Sequence, residues 1–377
     1  MSRFIIACGG TGGHLSPGIA LAEALTARGH TTTLFISHKA VDTRLVEKYP
    51  HLAAERVVSA PFGFRPDRLL QFVLKQTQGF RFSRRFLRQE RPDAIIGFGG
   101  FTNAGIVVAG RLEGIPVALH EANRVPGRAV RVLSRMARRL YLPPGVRMPG
   151  IRGVMVRHTG LPVRNQIMRL PRDEAREQIG ADPAQKLVVV IGGSQGAGVL
   201  NQWAEENLAA FAQEGVQIYC VTGLGKGAAS GRELRARNGR RVQAWFEPFS
   251  DRVGVLLSAA DLVLSRAGAG TIAELMRCET PAVLVPYPHA ADNHQAANAI
   301  YFEQQGGGLV IGETALGSLR QEVLDVIFND WLLNKFRSNL RRMARENCID
   351  TIVQDLEDLA NGTPPLRHLR HSPATTA

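Results

Sequence analysis

Arg3-Phe4-Ile5-Ile6-Ala7-Cys8 runs directly into Gly9-Gly10-Thr11-Gly12-Gly13-His14, and Leu187-Val188-Val189-Val190-Ile191 runs directly into Gly192-Gly193-Ser194-Gln195-Gly196-Ala197. An unbroken apolar run of this length reads as a strand buried on both faces, the habit of parallel sheets. The glycines open a tight turn, and a helix follows. After the first loop, Pro17 suits the first helical position, and Ile19, Ala22 and Leu25 share one face until Arg28-Gly29 stops it. After the second loop a helix is expected from about Val199. One strand–glycine loop–helix unit opening each half predicts an α/β chain with two doubly wound, Rossmann-like domains. A length of 377 residues suits two such domains.

The boundary is expected in the loop-rich stretch 142–163, which holds Pro143, Pro144, Gly145, Pro149, Gly150, Gly153 and Pro162. The expected organisation is 1–160 as one domain and 161–341 as the other. Further strand-to-helix punctuation is read at 94–100, 117–120 and 262–265, and helices at 319–328 and 331–359. A C-terminal helix is set apart at 342–361, either continuing the second domain or packing back on the first. The tail 362–377 has the composition of a disordered segment.

Composition removes several classes. Apolar residues make up 45% of the chain, and no apolar run approaches the roughly 18 residues of a membrane-spanning helix. The run at 3–8 is too short for the core of a signal peptide. Cys8, Cys220, Cys278 and Cys348 are scattered, with no C-x-x-C pair, which argues against disulfides and structural zinc and for a reducing cytoplasm. A formal charge of +13 favours anionic partners.

A glycine loop feeding a helix aims bare backbone amides, at the positive end of the helix dipole, toward a phosphate. Three such loops, at 9–13, 97–100 and 192–196, point to phosphate handling. A dinucleotide site is disfavoured on two counts. From Gly10 the G-x-G-x-x-G pattern ends in Leu15, and the second strand ends in Ser37-His38-Lys39 with no carboxylate for a ribose. No G-K-[ST] follows either, which excludes a P-loop. An acid does occur in Ser265-Arg266-Ala267-Gly268-Ala269-Gly270-Thr271-Ile272-Ala273-Glu274. Spacing alone leaves Glu274 open between chelating a ribose diol and complementing the dipole of its helix.

Together, the first loop with His14, Gly97-Phe98-Gly99-Gly100-Phe101, His120-Glu121-Ala122-Asn123, the 192–197 loop and the 265–274 segment resemble the MurG family, the N-acetylglucosaminyltransferases that convert lipid I to lipid II in peptidoglycan synthesis. The resemblance runs in order from about residue 3 to about residue 345. It implies a GT-B fold, two Rossmann-like domains facing across a cleft, with UDP-N-acetylglucosamine held mainly by the second. Carried over by position, Thr11, Gly12 and Gly13 lie near the sugar and diphosphate, and Asn123 and Arg164 reach the donor from the first domain. Ser194 contacts the diphosphate or uridine, and Ser250 supplies backbone to the uracil edge. Ala269, Gly270 and Thr271 serve the phosphates, Glu274 the ribose, and Gln295 the sugar hydroxyls. The chain departs from the family in Leu161-Pro162-Val163-Arg164, where an asparagine commonly precedes the proline, in Phe101-Thr102-Asn103, and in the length of 288–294.

The implied reaction is a single inverting displacement by the C4 hydroxyl of the acceptor sugar. A neutral imidazole near pH 7 can take the hydroxyl proton. His14, at the end of the first loop, is the candidate base; its alternative is a packing or capping role at the helix start. His120 and Glu121 are the next candidates, with positioning of the acceptor as the alternative role for Glu121. No Asp-x-Asp triplet offers a metal site, and no cofactor is implied. Helix N-termini can stabilise the leaving diphosphate instead. Transfer is therefore expected to survive EDTA; a strict Mg²⁺ requirement for the chemical step would contradict this.

Residues 65–93 interleave Arg65, Arg68, Lys75, Arg81, Arg84, Arg85, Arg88 and Arg91 with leucine, valine and phenylalanine. Such a stretch either lies on an anionic membrane surface or is an ordinary helix turning its apolar stripe to the core. A peripheral enzyme on the cytoplasmic face of the inner membrane is the expectation. The basic residues are spread over both halves without a nucleic-acid-binding signature, so nucleic acid is not an expected partner. A sugar epimerase of the same fold would need further cleft carboxylates and no lipid site.

Overall fold

The computed structural model describes residues 1–10, 12–60, 65–100, 103–193, 196–344 and 348–362. Thr11, Phe101, Thr102, Ser194, Gln195 and the tail from Thr363 onward lie outside them.

The first domain is built on a parallel sheet of β1 (Arg3–Ala7), β2 (Thr31–Ile36), β3 (Ala53–Arg56), β4 (Ala94–Gly97), β5 (Val117–His120), β6 (Arg139–Leu142) and β7 (Met155–His158), in the order β3-β2-β1-β4-β5-β6-β7. Alternation along β1 sorts its side chains between two cores. Phe4 and Ile6 join α1 (Gly12–Ala27) on one face. Ile5 and Ala7 join α3 (Pro66–Glu90), α4 (Ala104–Leu112) and α5 (Arg128–Leu133) on the other. The short α2 (Ala40–Val46) follows β2. Helix α1 begins about a turn before Pro17, where the sequence had suggested its start. Pro17 lacks an amide and so forfeits only a bond near the helix start, to the Gly13 carbonyl.

The second domain repeats the scheme. Its sheet comprises β8 (Lys186–Ile191), β9 (Val216–Val221), β10 (Ser230–Arg235), β11 (Arg241–Glu247), β12 (Leu262–Ser265), β13 (Ala282–Leu284) and β14 (Gly308–Val310), ordered β10-β11-β9-β8-β12-β13-β14. Only β10 runs antiparallel to its neighbour, as an edge hairpin with β11. Val188 and Val190 face α7 (Gly198–Gln213), α11 (Leu316–Ile327) and α12 (Asp330–Met343). Leu187, Val189 and Ile191 face α6 (Arg172–Ile179), α8 (Val253–Ala259), α9 (Ala269–Cys278) and α10 (His294–Gln304).

The helix read at 331–359 is two helices. Helix α12 packs Leu333 and Phe336 into the second domain, and α13 (Cys348–Ala360) packs Ile349, Ile352, Val353, Leu356 and Leu359 against α1 and the first sheet. Buried Asp355 anchors α13 there. It accepts from the Tyr141 hydroxyl at 2.9 Å and pairs with Arg139 and Arg157, each at 3.2 Å. These β6 and β7 arginines satisfy a carboxylate that burial alone would make costly.

Candidate active site

The first glycine loop leads into α1, which touches α9 of the second domain. In this loop, Gly9 packs its Cα against the backbone of Ile36 and Ser37, with no space for a side chain. Gly12 and Gly13 form the first turn of α1, and His14 follows, partly buried. The imidazole rests on the third loop: a Cβ on Gly100 would meet His14 Cε1 at 3.3 Å. Asn103 fixes that loop, its buried amide donating to the Ala7 carbonyl at 2.8 Å. Burial pushes the His14 pKa down to about 4, opposed by Asp42 and assisted by Lys39 and by His294 of the second domain. The imidazole is therefore neutral at physiological pH.

His120 has a different place. It is buried against Phe98, and its Nε2 donates to the Gly160 carbonyl at 3.0 Å. Burial holds its pKa at about 4 as well. Its proton is thus committed to the interdomain connector. Glu121 is also occupied within its own loop. Oε1 accepts from the Asn123 backbone amide at 2.8 Å and its side-chain amide at 3.1 Å, and Oε2 accepts from the Gly127 amide at 2.7 Å. Both carboxylate oxygens thus shape residues 121–127.

The facing wall belongs to the second domain. Ala269, Gly270 and Thr271 form the first turn of α9, and no side chain caps this end. First-turn amides have no intrahelical acceptor, so they are available to an anion. Glu274 lies one turn on, partly buried, and burial raises its pKa to about 7 against the pull of Arg164. Ser250 is buried and its Oγ accepts from the Arg252 amide at 3.2 Å. Gln295 Oε1 accepts from the Tyr287 amide at 3.0 Å, bracing the loop before α10. Gly193 and Gly196 hold left-handed conformations in the second glycine loop.

Arg164 stands between the walls. Its guanidinium donates to the Tyr49 hydroxyl at 3.3 Å and acts electrostatically on Glu274 of α9 and Glu23 of α1. Helices α1 and α9 touch across the cleft. Asn123 meets the second domain through Asn298, a residue the sequence reading did not single out. The Asn298 amide donates to Asn123 Oδ1 at 3.1 Å and to the Ala267 carbonyl at 3.2 Å, while its Oδ1 accepts from the Arg124 amide at 2.9 Å. Arg124 lies 3.9 Å from the centre of the Tyr301 ring. Arg128 and Arg131 pair with Asp292 at 2.8 and 3.1 Å. The available signal was spacing: Gln295 and Asn298 are three apart on one face of α10. Among the described residues, no three His, Cys, Asp or Glu side chains gather as a metal centre requires.

The glycosyltransferase family 28 N-terminal domain profile matches residues 4–142, and its C-terminal domain profile matches residues 187–352. A relative from Opitutus terrae is 58% identical over 369 residues, covering 97% of this chain and 98% of its own; it is named UDP-N-acetylglucosamine--N-acetylmuramyl-(pentapeptide) pyrophosphoryl-undecaprenol N-acetylglucosamine transferase. A relative of the same name from Parasynechococcus marenigrum is 37% identical over 95% of this chain and 99% of its own. Among solved structures, Acinetobacter baumannii MurG superposes with a TM-score of 0.71 at 24% identity, over 95% of this chain and all of that one. The glycosyltransferase of kitacinnamycin superposes with a TM-score of 0.68 at 17% identity, over 95% and 99%. These superpositions establish the GT-B arrangement.

Proposed function

This chain belongs to glycosyltransferase family 28, and from that premise we propose that it transfers N-acetylglucosamine from UDP-N-acetylglucosamine to the C4 hydroxyl of the N-acetylmuramyl sugar of lipid I, giving lipid II. The chain is an N-acetylglucosaminyltransferase. The observation that carries the reading is the meeting, at one cleft, of neutral His14 on the first domain with the uncapped α9 turn and Glu274 on the second.

In this reading the amides of Ala269, Gly270 and Thr271 hold the diphosphate, and Glu274 accepts from the ribose hydroxyls. Backbone at Ser250 meets the uracil, and Gln295 and Asn123 read the sugar. Arg164 offsets phosphate charge, and Gly12 and Gly13 let the sugar approach. Thr11 and Ser194 are assigned to the diphosphate region on sequence alone. His14 removes the C4 hydroxyl proton as that oxygen bonds to the anomeric carbon. The bond from this carbon to the diphosphate breaks, and UDP leaves with the electron pair. Amides already oriented toward the leaving oxygens stabilise that charge without reorganising. The test is UDP release as a function of acceptor. The reading expects release that saturates with a lipid-linked N-acetylmuramyl-pentapeptide and stays at background with the lipid carrier alone. Equal release in both cases contradicts it.

Helix α3 supports a peripheral membrane role on its first half. Leu70 and Leu74 are 62% and 60% exposed, and Leu69 and Val73 flank them among Arg68 and Lys75. The second half behaves as a core helix. Leu87 is buried and Phe86 packs with Phe35, while Arg84 and Arg88 pair with Glu113. No helix among the described residues is long and apolar enough to cross a membrane. In this reading the exposed leucines enter the cytoplasmic leaflet of the inner membrane, with the basic residues at its anionic headgroups. A Leu70→Glu, Leu74→Glu double variant is expected to lose at least about tenfold in affinity for anionic vesicles, since two buried leucines are worth about 1.5–3 kcal/mol each. Its turnover of a short-chain soluble acceptor is expected to stay near the parent value. Unchanged vesicle binding in a flotation assay would remove α3 from the membrane contact.

A further inference from the structure

Asp42 opens α2, wholly buried beside the first glycine loop. Its Oδ2 accepts three hydrogen bonds: from the Gly10 amide at 2.8 Å, the Ser37 amide at 3.1 Å and the Ser37 hydroxyl at 2.6 Å. These join the end of β2 to the loop at Gly10, whose φ of 117° is open only to glycine. Lys39 closes the clasp from outside, its Nζ donating to the Gly10 carbonyl at 2.6 Å. The second oxygen, Oδ1, is buried and has no hydrogen-bond partner among the described residues. Three donors on one buried oxygen tie the end of β2 firmly to the first glycine loop.

His14 lies four residues beyond Gly10. The loops it rests on, at Gly99 and Gly100, bring no charge of their own. Among the described residues, Asp42, Lys39, His120 and, across the cleft, His294 act electrostatically on its imidazole. Asp42 is the one negative charge among them. Burial, Lys39 and His294 all disfavour the imidazolium, and Asp42 alone favours it.

We propose that Asp42 is a positioning residue of the transfer reaction: its carboxylate, clasped to Gly10 and Ser37, fixes the loop that presents His14 and favours the imidazolium that forms as His14 takes the acceptor proton. The proton passes from the C4 hydroxyl to the imidazole and then to solvent. Asp42 takes no proton in this step and touches neither substrate. This inference rests on the reading of His14 as the base.

The test is a double-mutant cycle on steady-state transfer, with Asp42→Asn, His14→Ala and the pair. Asparagine preserves the shape and one acceptor for Gly10 while removing the charge. Expected for Asp42→Asn is a kcat about tenfold or more below the parent, within the range of general-base effects, with KM for the donor held within about threefold. On the His14→Ala background the same change is expected to cost nothing further, because two residues serving one step are not additive. An Asp42→Asn kcat within about twofold of the parent overturns the proposal, as does an effect that persists in full on the His14→Ala background. If His14→Ala itself retains parent activity, the base reading fails instead, which separates the two failures. Should Asp42→Asn not fold, as read from its melting transition, Ser37→Ala enters the same cycle. It removes one donor that orients the carboxylate, and a few-fold loss in kcat that vanishes without His14 is expected. Persistence of that loss overturns the proposal.

Discussion

His14→Ala is expected to lower kcat by about 100- to 10,000-fold, the range of a positioned general base, while KM for UDP-N-acetylglucosamine changes little. The imidazole lies at the start of α1, against two glycines that leave it room. Because burial brings its pKa to about 4, the base form predominates throughout the neutral range. The sign follows: kcat should not fall with acidity until the pH approaches that low value, and it should be flat from about pH 6 to 9. Its side chain is only partly buried, so the melting transition of His14→Ala should stay near the parent. Loss of donor affinity with unchanged kcat would instead assign His14 to ground-state binding.

The second large effect concerns Glu274 and appears in kcat/KM for the donor. A carboxylate accepting from both ribose hydroxyls makes two charge-assisted hydrogen bonds, each worth about 1.5–3 kcal/mol. Glu274→Gln is expected to lower kcat/KM for UDP-N-acetylglucosamine by about 10- to 100-fold, with the acceptor KM unaffected. The parent should carry a pH signature at the same place. Burial raises the Glu274 pKa to about 7 in the free protein, and only the ionised form accepts from both hydroxyls. Donor kcat/KM is therefore expected to be full above that pKa and to fall as pH drops through it, by about tenfold per unit below. The inflection should vanish in Glu274→Gln. A parent profile flat from about pH 5.5 to 8.5 would show that donor capture does not depend on this carboxylate. The two residues thus divide the acid side between them, Glu274 in donor capture and His14 at much lower pH in turnover.

The parts of this arrangement legible in the sequence are those fixed by local chemistry. Strand runs such as 3–8 and 187–191 are apolar on both faces because helices cover both faces, and the glycines follow because backbone packs against backbone there, as Gly9 does on Ser37. The start of α1 was misjudged because proline at a first helical position and proline just past a first turn look alike without geometry. The break between α12 and α13 was hidden because the apolar spacing continues across it, although the two helices serve different domains.

Long-range contacts were the least legible. The bond from Asn298 to Asn123 spans 175 positions, and nothing local distinguishes that amide from a surface asparagine. The motif His120-Glu121-Ala122-Asn123 drew attention as chemistry. In the structure its His and Glu bond to backbone, at Gly160 and within 123–127, and its Asn reaches across the cleft. The 65–93 stretch admitted two readings, an interfacial face and a core-facing stripe; α3 is exposed over its first half and core-facing over its second. Only the packing of Phe86 and Leu87, which the sequence does not encode locally, divides it.

The central claim is sugar transfer to a lipid-linked acceptor, and labelled transfer measures it most directly. The purified chain would be given radiolabelled UDP-N-acetylglucosamine and a short-chain lipid I analogue, and the lipid phase analysed for product and linkage. The expected product is a lipid-linked disaccharide in which N-acetylglucosamine is joined through an inverted, β-configured anomeric carbon to the C4 oxygen. Label that remains on the nucleotide, or returns as an epimerised sugar while the donor still binds, would contradict it.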